Sequence, residues 1–195
     1  MEKTELYGIL RSSNTVFTFK DILLASSGVK PNLLARKLSY YVKTGQLYAI
    51  RRGLYAKDKD YDKFELATKI FMPSYISFET VLGSAGVTFQ YYSGIFVATY
   101  QSKELECDGQ VYNFKKIKTP ILINDAGIEK KQNYSIASPE RAFLDVAYLQ
   151  KDYHFDSLSA LDWKKVFNIL PIYGGNKRMI KKVNEYYRAT KNKIL

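Results

Sequence analysis

The 195-residue chain is 46% hydrophobic and 25% charged, which allows a packed core and excludes general disorder. Its formal net charge of +11 points to polyanionic partners, nucleic acid first, or else to a basic surface that only keeps the protein in solution. One cysteine (Cys107) excludes an internal disulfide framework, one histidine (His154) excludes His-rich metal sites, and no apolar run approaches the roughly 20 residues of a membrane span. MEKTELYGIL has no signal-peptide pattern, so a cytoplasmic protein of one large or two small domains is expected.

Residues 4–11 (TELYGILR) place Leu6, Ile9 and Leu10 at i, i+3 and i+4, the pattern of a short amphipathic helix. Thr18, with Asp21 three residues later, approximates a capping box and starts a second helix, which SSG with Gly28 stops. Pro31 suits the first turn of a third helix running to about Thr44. In that helix Leu34, Leu38, Tyr41 and Val42 form the apolar stripe. Asn32, Arg36, Lys37, Tyr40 and Lys43 fall on or beside the opposite face, with Lys30 just ahead of the helix. Such a face mixes base-reading donors with phosphate neutralisers, although any surface helix also turns Lys and Arg outward. Residues 46–57 alternate as a hairpin, with Arg51 and Arg52 side by side at its reversal.

Helix, helix, turn, helix and hairpin within sixty residues is the order of a winged helix-turn-helix, here carrying eleven Lys/Arg against five Asp/Glu. The charged turn KDKDYDK near residue 60 and a change in charge balance suggest a boundary there, giving units 1–60 and 61–195. KFELATKIFM reads as a helix, YISF as a short strand and 78–85 as another helix. IFVATY, LECDGQVYNFKKI and PILIND are β-like, and CDG is a hairpin-turn signal. Ser138 caps a helix begun by Pro139, with Ala142, Phe143, Val146, Ala147 and Leu149 as its buried surface. Two further helices cover 162–170 and 176–191. The expected class is α+β, a winged helix-turn-helix followed by a mixed α/β unit with a small, mainly antiparallel sheet.

Catalytic signals are sparse. GGNKR at 174–178 lacks the spacing of a phosphate-binding loop, and Cys107 has no neighbouring histidine or basic activator in sequence. His154, between Asp152 and Asp156, reads as a surface or helix-end residue before it reads as a base. Arg141 and Asp145, at i,i+4, read as a surface pair, with Glu140 complementing the helix dipole. Glu104, Glu106 and Asp108 alternate toward one side of a strand, and a small metal-dependent nuclease built on them is the enzymatic alternative. No cofactor is implied and no enzyme is expected.

Three stretches together carry a resemblance. LARKLSYYVKTGQLYAIRRGLYAK contains Gly45, Leu47, Arg52, Gly53 and Tyr55; a second motif comprises Pro73, Tyr75, Ile76 and Ser77; a third comprises Ser138, Pro139, Glu140, Arg141, Ala142 and Asp145. In their order and spacing they resemble the AbiEi-type antitoxins, transcriptional regulators of abortive-infection (phage-defence) type IV toxin–antitoxin systems, over roughly residues 10–150. The resemblance implies a winged-helix unit that represses its own operon on double-stranded operator DNA; a dimer and cooperative monomers would suit paired operator sites equally. It also implies a C-terminal unit that counters a nucleotidyltransferase-like toxin. Lys30, Asn32, Arg36, Lys37, Tyr40, Lys43, Arg51 and Arg52 are the candidate DNA contacts. Lys177, Arg178, Lys181, Lys182 and Arg188 form a second basic face for DNA, for the toxin, or merely for solvent. A stand-alone repressor whose C-terminal half dimerises or senses a ligand is the remaining alternative.

Overall fold

The structure, a computed structural model, describes residues 4–26 and 28–192; side chains before Gly8 and at Asn192 are outside that description. Ser27 of the expected helix stop and the Leu6 side chain therefore lie outside the described residues. The fold is mixed α+β, with a three-stranded antiparallel sheet and a six-stranded mixed sheet.

The N-terminal elements are α1 (Thr4–Arg11), β1 (Val16–Thr18), α2 (Phe19–Ala25), α3 (Pro31–Lys43), β2 (Tyr48–Arg51) and β3 (Leu54–Ala56), with sheet order β1-β3-β2. The capping box at α2 is complete: Thr18 Oγ1 accepts from the Asp21 N–H at 3.0 Å, and Asp21 Oδ2 accepts from the Thr18 N–H at 2.9 Å. Ile9, Phe17, Ile22, Leu34, Leu38 and Leu47 close a small core beneath these helices. Leu10, expected on the apolar stripe of α1, is 45% exposed.

Strand periodicity then does something the charge boundary near residue 60 does not suggest. Phe17 and Tyr55 face the small core, whereas Val16, Leu54 and Ala56, one position away on the same strands, belong to the larger core of residues 61–183. Strands β1 and β3 are thus covered on both faces, while Ala49 and Arg51 of the edge strand β2 stay exposed. Helix α4 (Lys63–Ile70) lies against β1, and its Glu65 carboxylate, wholly buried, accepts from the Thr15 N–H at 2.8 Å and the Thr15 hydroxyl at 2.7 Å. Lys69, paired with Glu65 at 2.8 Å, also donates to the Val16 carbonyl.

The large sheet follows the order β6-β7-β5-β4-β9-β8. Its strands are β4 (Ser74–Ile76), β5 (Ile95–Thr99), β6 (Lys103–Cys107), β7 (Gln110–Lys116), β8 (Ile128–Lys130) and β9 (Ser135–Ala137). Pairs β4/β9 and β5/β7 are parallel and the other three antiparallel. β5 is buried at every position, so both faces are covered. The remaining helices are α5 (Phe78–Ser84), α6 (Thr119–Leu122), α7 (Pro139–Leu149), α8 (Trp163–Ile169), a 3-10 turn at Leu170–Tyr173, and α9 (Lys177–Asn192).

PILIND is not a strand. Pro120 lacks the N–H a ladder needs and sits in the first turn of α6, which buries Ile121 and Leu122. Ser138 does cap α7, accepting from the Arg141 N–H at 3.3 Å. Among the described residues no helix is long and apolar enough to cross a membrane.

Candidate nucleic-acid interface

Helix α3 contains no Asp or Glu, and its N-cap residue Lys30 makes no side-chain cap. The partial positive charge of the helix start is therefore not offset by a capping side chain or a first-turn acid, and a lysine lies beside it. Leu34 and Leu38 are each 1% exposed, while Asn32, Arg36, Tyr40 and Lys43, at i, i+4, i+8 and i+11, share one exposed row. Lys37 is half-buried and engaged in an interaction of its own. Leu33, which its apolar side chain keeps off any list of candidate contacts, is 50% exposed between Lys30 and Lys37.

The twin arginines separate in the structure. Pairing of β2 with β3 shifts between Ala49↔Tyr55 and Arg51↔Leu54, so Ile50 is the extra residue of a β-bulge. The bulge breaks the alternation and sets the exposed Arg51 opposite Leu54, on the side of Cys107 in β6, whose thiol burial pushes up in pKa and the Arg51 guanidinium pulls back. Arg52 is exposed and makes no hydrogen bond or ion pair among the described residues. The reversal itself is fixed from below, where the Phe19 N–H donates to the Gly53 carbonyl at 2.8 Å.

The hairpin's root is held by an acid. β6 and β7 join through Asp108–Gly109 with φ of +50° and +73°, the backbone a two-residue turn with matching twist requires. From that turn Asp108 Oδ1 accepts the Tyr48 hydroxyl at 2.8 Å and Oδ2 accepts the Tyr61 hydroxyl at 2.7 Å. The two rings stack at 6.4 Å with 20° between planes. Asp108 therefore does not join Glu104 and Glu106 in a shared carboxylate site; those two project from β6 into solvent while Asp108 turns to the tyrosines. No three His, Cys, Asp or Glu side chains gather to hold a metal ion among the described residues.

Arg141 and Asp145 are not a surface pair. Both are 0% exposed, on a helix that is buried from Glu140 to Ala147. The Arg141 Nε donates to Asp145 at 3.4 Å, Nη1 to the carbonyls of Asn124 (3.2 Å) and Ala126 (2.7 Å), and Nη2 to the Ile121 carbonyl (2.7 Å) and Tyr75 hydroxyl (2.9 Å). Asp145 accepts in addition from the hydroxyls of Tyr75 at 3.0 Å, Ser77 at 2.8 Å and Tyr173 at 2.7 Å. Burial pushes the Asp145 carboxyl up, with Arg141 and the three hydroxyls pulling it back. Glu140, also buried, accepts from Ser138 at 2.8 Å and from the N–H of Asp162 at 3.2 Å, tying the starts of α7 and α8 together. The segments Tyr75–Ser77 and Ser138–Asp145 thus meet in one closed network. Gly127 completes it, because a Cβ there would lie 2.8 Å from Arg141 Cβ.

On α9, Lys177, Arg178, Lys181 and Arg188 are exposed, opposite the buried Met179 and Val183. Lys182 is half-buried over the Tyr186 ring at 5.3 Å, and Arg178 donates to the Tyr148 carbonyl at 3.2 Å. His154 is exposed and belongs to no group of three metal-holding side chains among the described residues. No family model matches the chain, and no curated protein matches it.

Proposed function

We propose that the chain is a DNA-binding transcriptional repressor that doubles as the antitoxin of a type IV (abortive-infection) toxin–antitoxin pair. The element order α1–β1–α2–α3–β2–β3 with sheet order β1-β3-β2 supports reading this unit as a winged helix-turn-helix, whose third helix would enter the major groove with the hairpin as its wing. The observation that carries the reading is α3 itself: acid-free, uncapped beside Lys30, and presenting Asn32, Arg36, Tyr40 and Lys43 in one exposed row. Asn32 and Arg36 are suited to base edges, Lys30, Lys43 and Arg52 to phosphates. Countering a nucleotidyltransferase-like toxin, through residues 61–195, rests on the resemblance over residues 10–150.

The test is a salt titration of binding to a duplex spanning the DNA upstream of the chain's own gene. Arg36→Ala is expected to weaken binding about tenfold or more and relax sequence preference, and each phosphate contact removed to lower the salt slope by about 0.9. Equal affinity of wild type and Arg36→Ala for that duplex would overturn the DNA-binding reading. Co-expression with the adjacent toxin gene tests the second half separately: growth must be restored by the wild-type chain.

A further inference from the structure

The hairpin proposed as the wing is not a free arm. Its first residue, Tyr48, and the first core residue beyond it, Tyr61, both donate to the one carboxylate of Asp108, sixty and forty-seven positions away in sequence. Its last β2 residue, Arg51, pairs opposite Leu54, which packs into the larger core that also holds Cys107, the neighbour of Asp108. The start of β2 and the chain just beyond the hairpin are therefore tied to one turn of the other half of the molecule. The turn is stiff, since Asp108 and Gly109 both hold left-handed backbone and the β6–β7 ladder is in register from Cys107↔Gln110 to Lys103↔Phe114. Beneath it, Tyr112 is 0% exposed. Each carboxylate oxygen serves one hydroxyl, so neither tyrosine competes with the other. Both arginines are exposed; Arg51 pairs opposite Leu54 on the side turned to the larger core, and Arg52 follows it at the reversal.

We propose that Asp108 is a positioning residue of the DNA-binding surface: it clamps the root of the hairpin so that Arg52 is held where a phosphate lies when α3 is in the groove. The proposal rests on the DNA-binding reading above and adds the C-terminal half to it. The clamp works by restricting the hairpin rather than by touching DNA. Its loss returns to Arg52 the conformational freedom that binding must then remove, so affinity falls without any DNA contact being deleted.

The experiment is a double-mutant cycle on duplex binding, read at several salt concentrations on the same upstream duplex and on a mixed-sequence duplex. Tyr48→Phe/Tyr61→Phe removes the two hydroxyls and keeps the rings and the turn. Arg52→Ala is made in the wild type and in that background. A positioning role predicts that Arg52→Ala costs several-fold in affinity and about 0.9 in salt slope in the wild type, and much less of both once the hydroxyls are gone. Strictly additive losses, or a Phe/Phe variant that binds as wild type, would overturn the clamp. Arg36→Ala is the control for the underlying reading. If it weakens binding while the cycle is additive, only the clamp fails; if wild type binds neither duplex, the DNA-binding reading fails with it. Should the double Phe variant not fold, Tyr48→Phe alone, at a half-exposed position, runs the same cycle, and Asp108→Gly, which a φ of +50° accommodates, provides its carboxylate-free counterpart.

Discussion

Asp145 takes four donors inside a helix, three of them hydroxyls from β4, from the residue after it and from the 3-10 turn. Replacing it by Ala leaves the Arg141 guanidinium charged, buried and short of its counter-ion, a change expected to cost about 3–5 kcal/mol. Urea unfolding of Asp145→Ala should show that loss, and the duplex affinity of the molecules still folded should be unchanged. The tyrosines give a pH signature. Burial pushes the phenols of Tyr75 and Tyr173 well above their ordinary range, and does the same for Tyr61 and Tyr112. The folded chain therefore keeps protons that the unfolded chain releases above about pH 10, so stability is full below that pH and falls as pH rises through it. Urea midpoints that stay level from pH 9 to 11 would contradict this, and Tyr173→Phe should flatten the decline.

Elements of strong local character were legible in the sequence, and those defined by partners were not. The Thr18–Asp21 box, Pro31 at the head of α3, the Leu34/Leu38 stripe and the Asp108–Gly109 turn each follow from a few adjacent residues. β1, β8 and β9 are three residues long and exist only because a neighbouring strand pairs with them, so no periodicity announces them. The Arg141–Asp145 spacing is shared by surface pairs and buried ones; the deciding fact is that α7 is covered on all sides, which is a property of the fold. The same holds for Asp108, whose partners are distant in sequence. Arg51 and Arg52 look alike as a dipeptide, and a single bulge at Ile50 separates them. At this scale Thr18→Ala is expected to lower stability by about 1 kcal/mol, because two N–H groups of the α2 start lose their acceptors or their geometry; chemical denaturation measures it.

For the whole molecule the charge change near residue 60 is a poor guide to mechanical independence. Val16, Leu54 and Ala56 are covered by the larger core, and Glu65 and Lys69 of α4 bond to the backbone of Thr15 and Val16. A fragment ending at residue 60 would expose that face of the small sheet to water. It is expected to be largely unfolded by circular dichroism at room temperature, whereas the intact chain should unfold in one transition seen equally by near- and far-ultraviolet signals. Asn133 donating to the Ser13 carbonyl at 3.0 Å adds a further tie from the far edge of the large sheet.

The packing of β1 and β3 into the larger core also bears on what happens if the connection between the halves is cut. Lys59 is exposed in the turn that follows β3, a place a protease reaches without unfolding anything. A chain nicked after Lys59 would lose one peptide bond and none of the packing that joins its pieces. The two fragments should travel as a single particle on gel filtration and part only in denaturant; mixed afresh after dilution, they should find each other again as complementing partners.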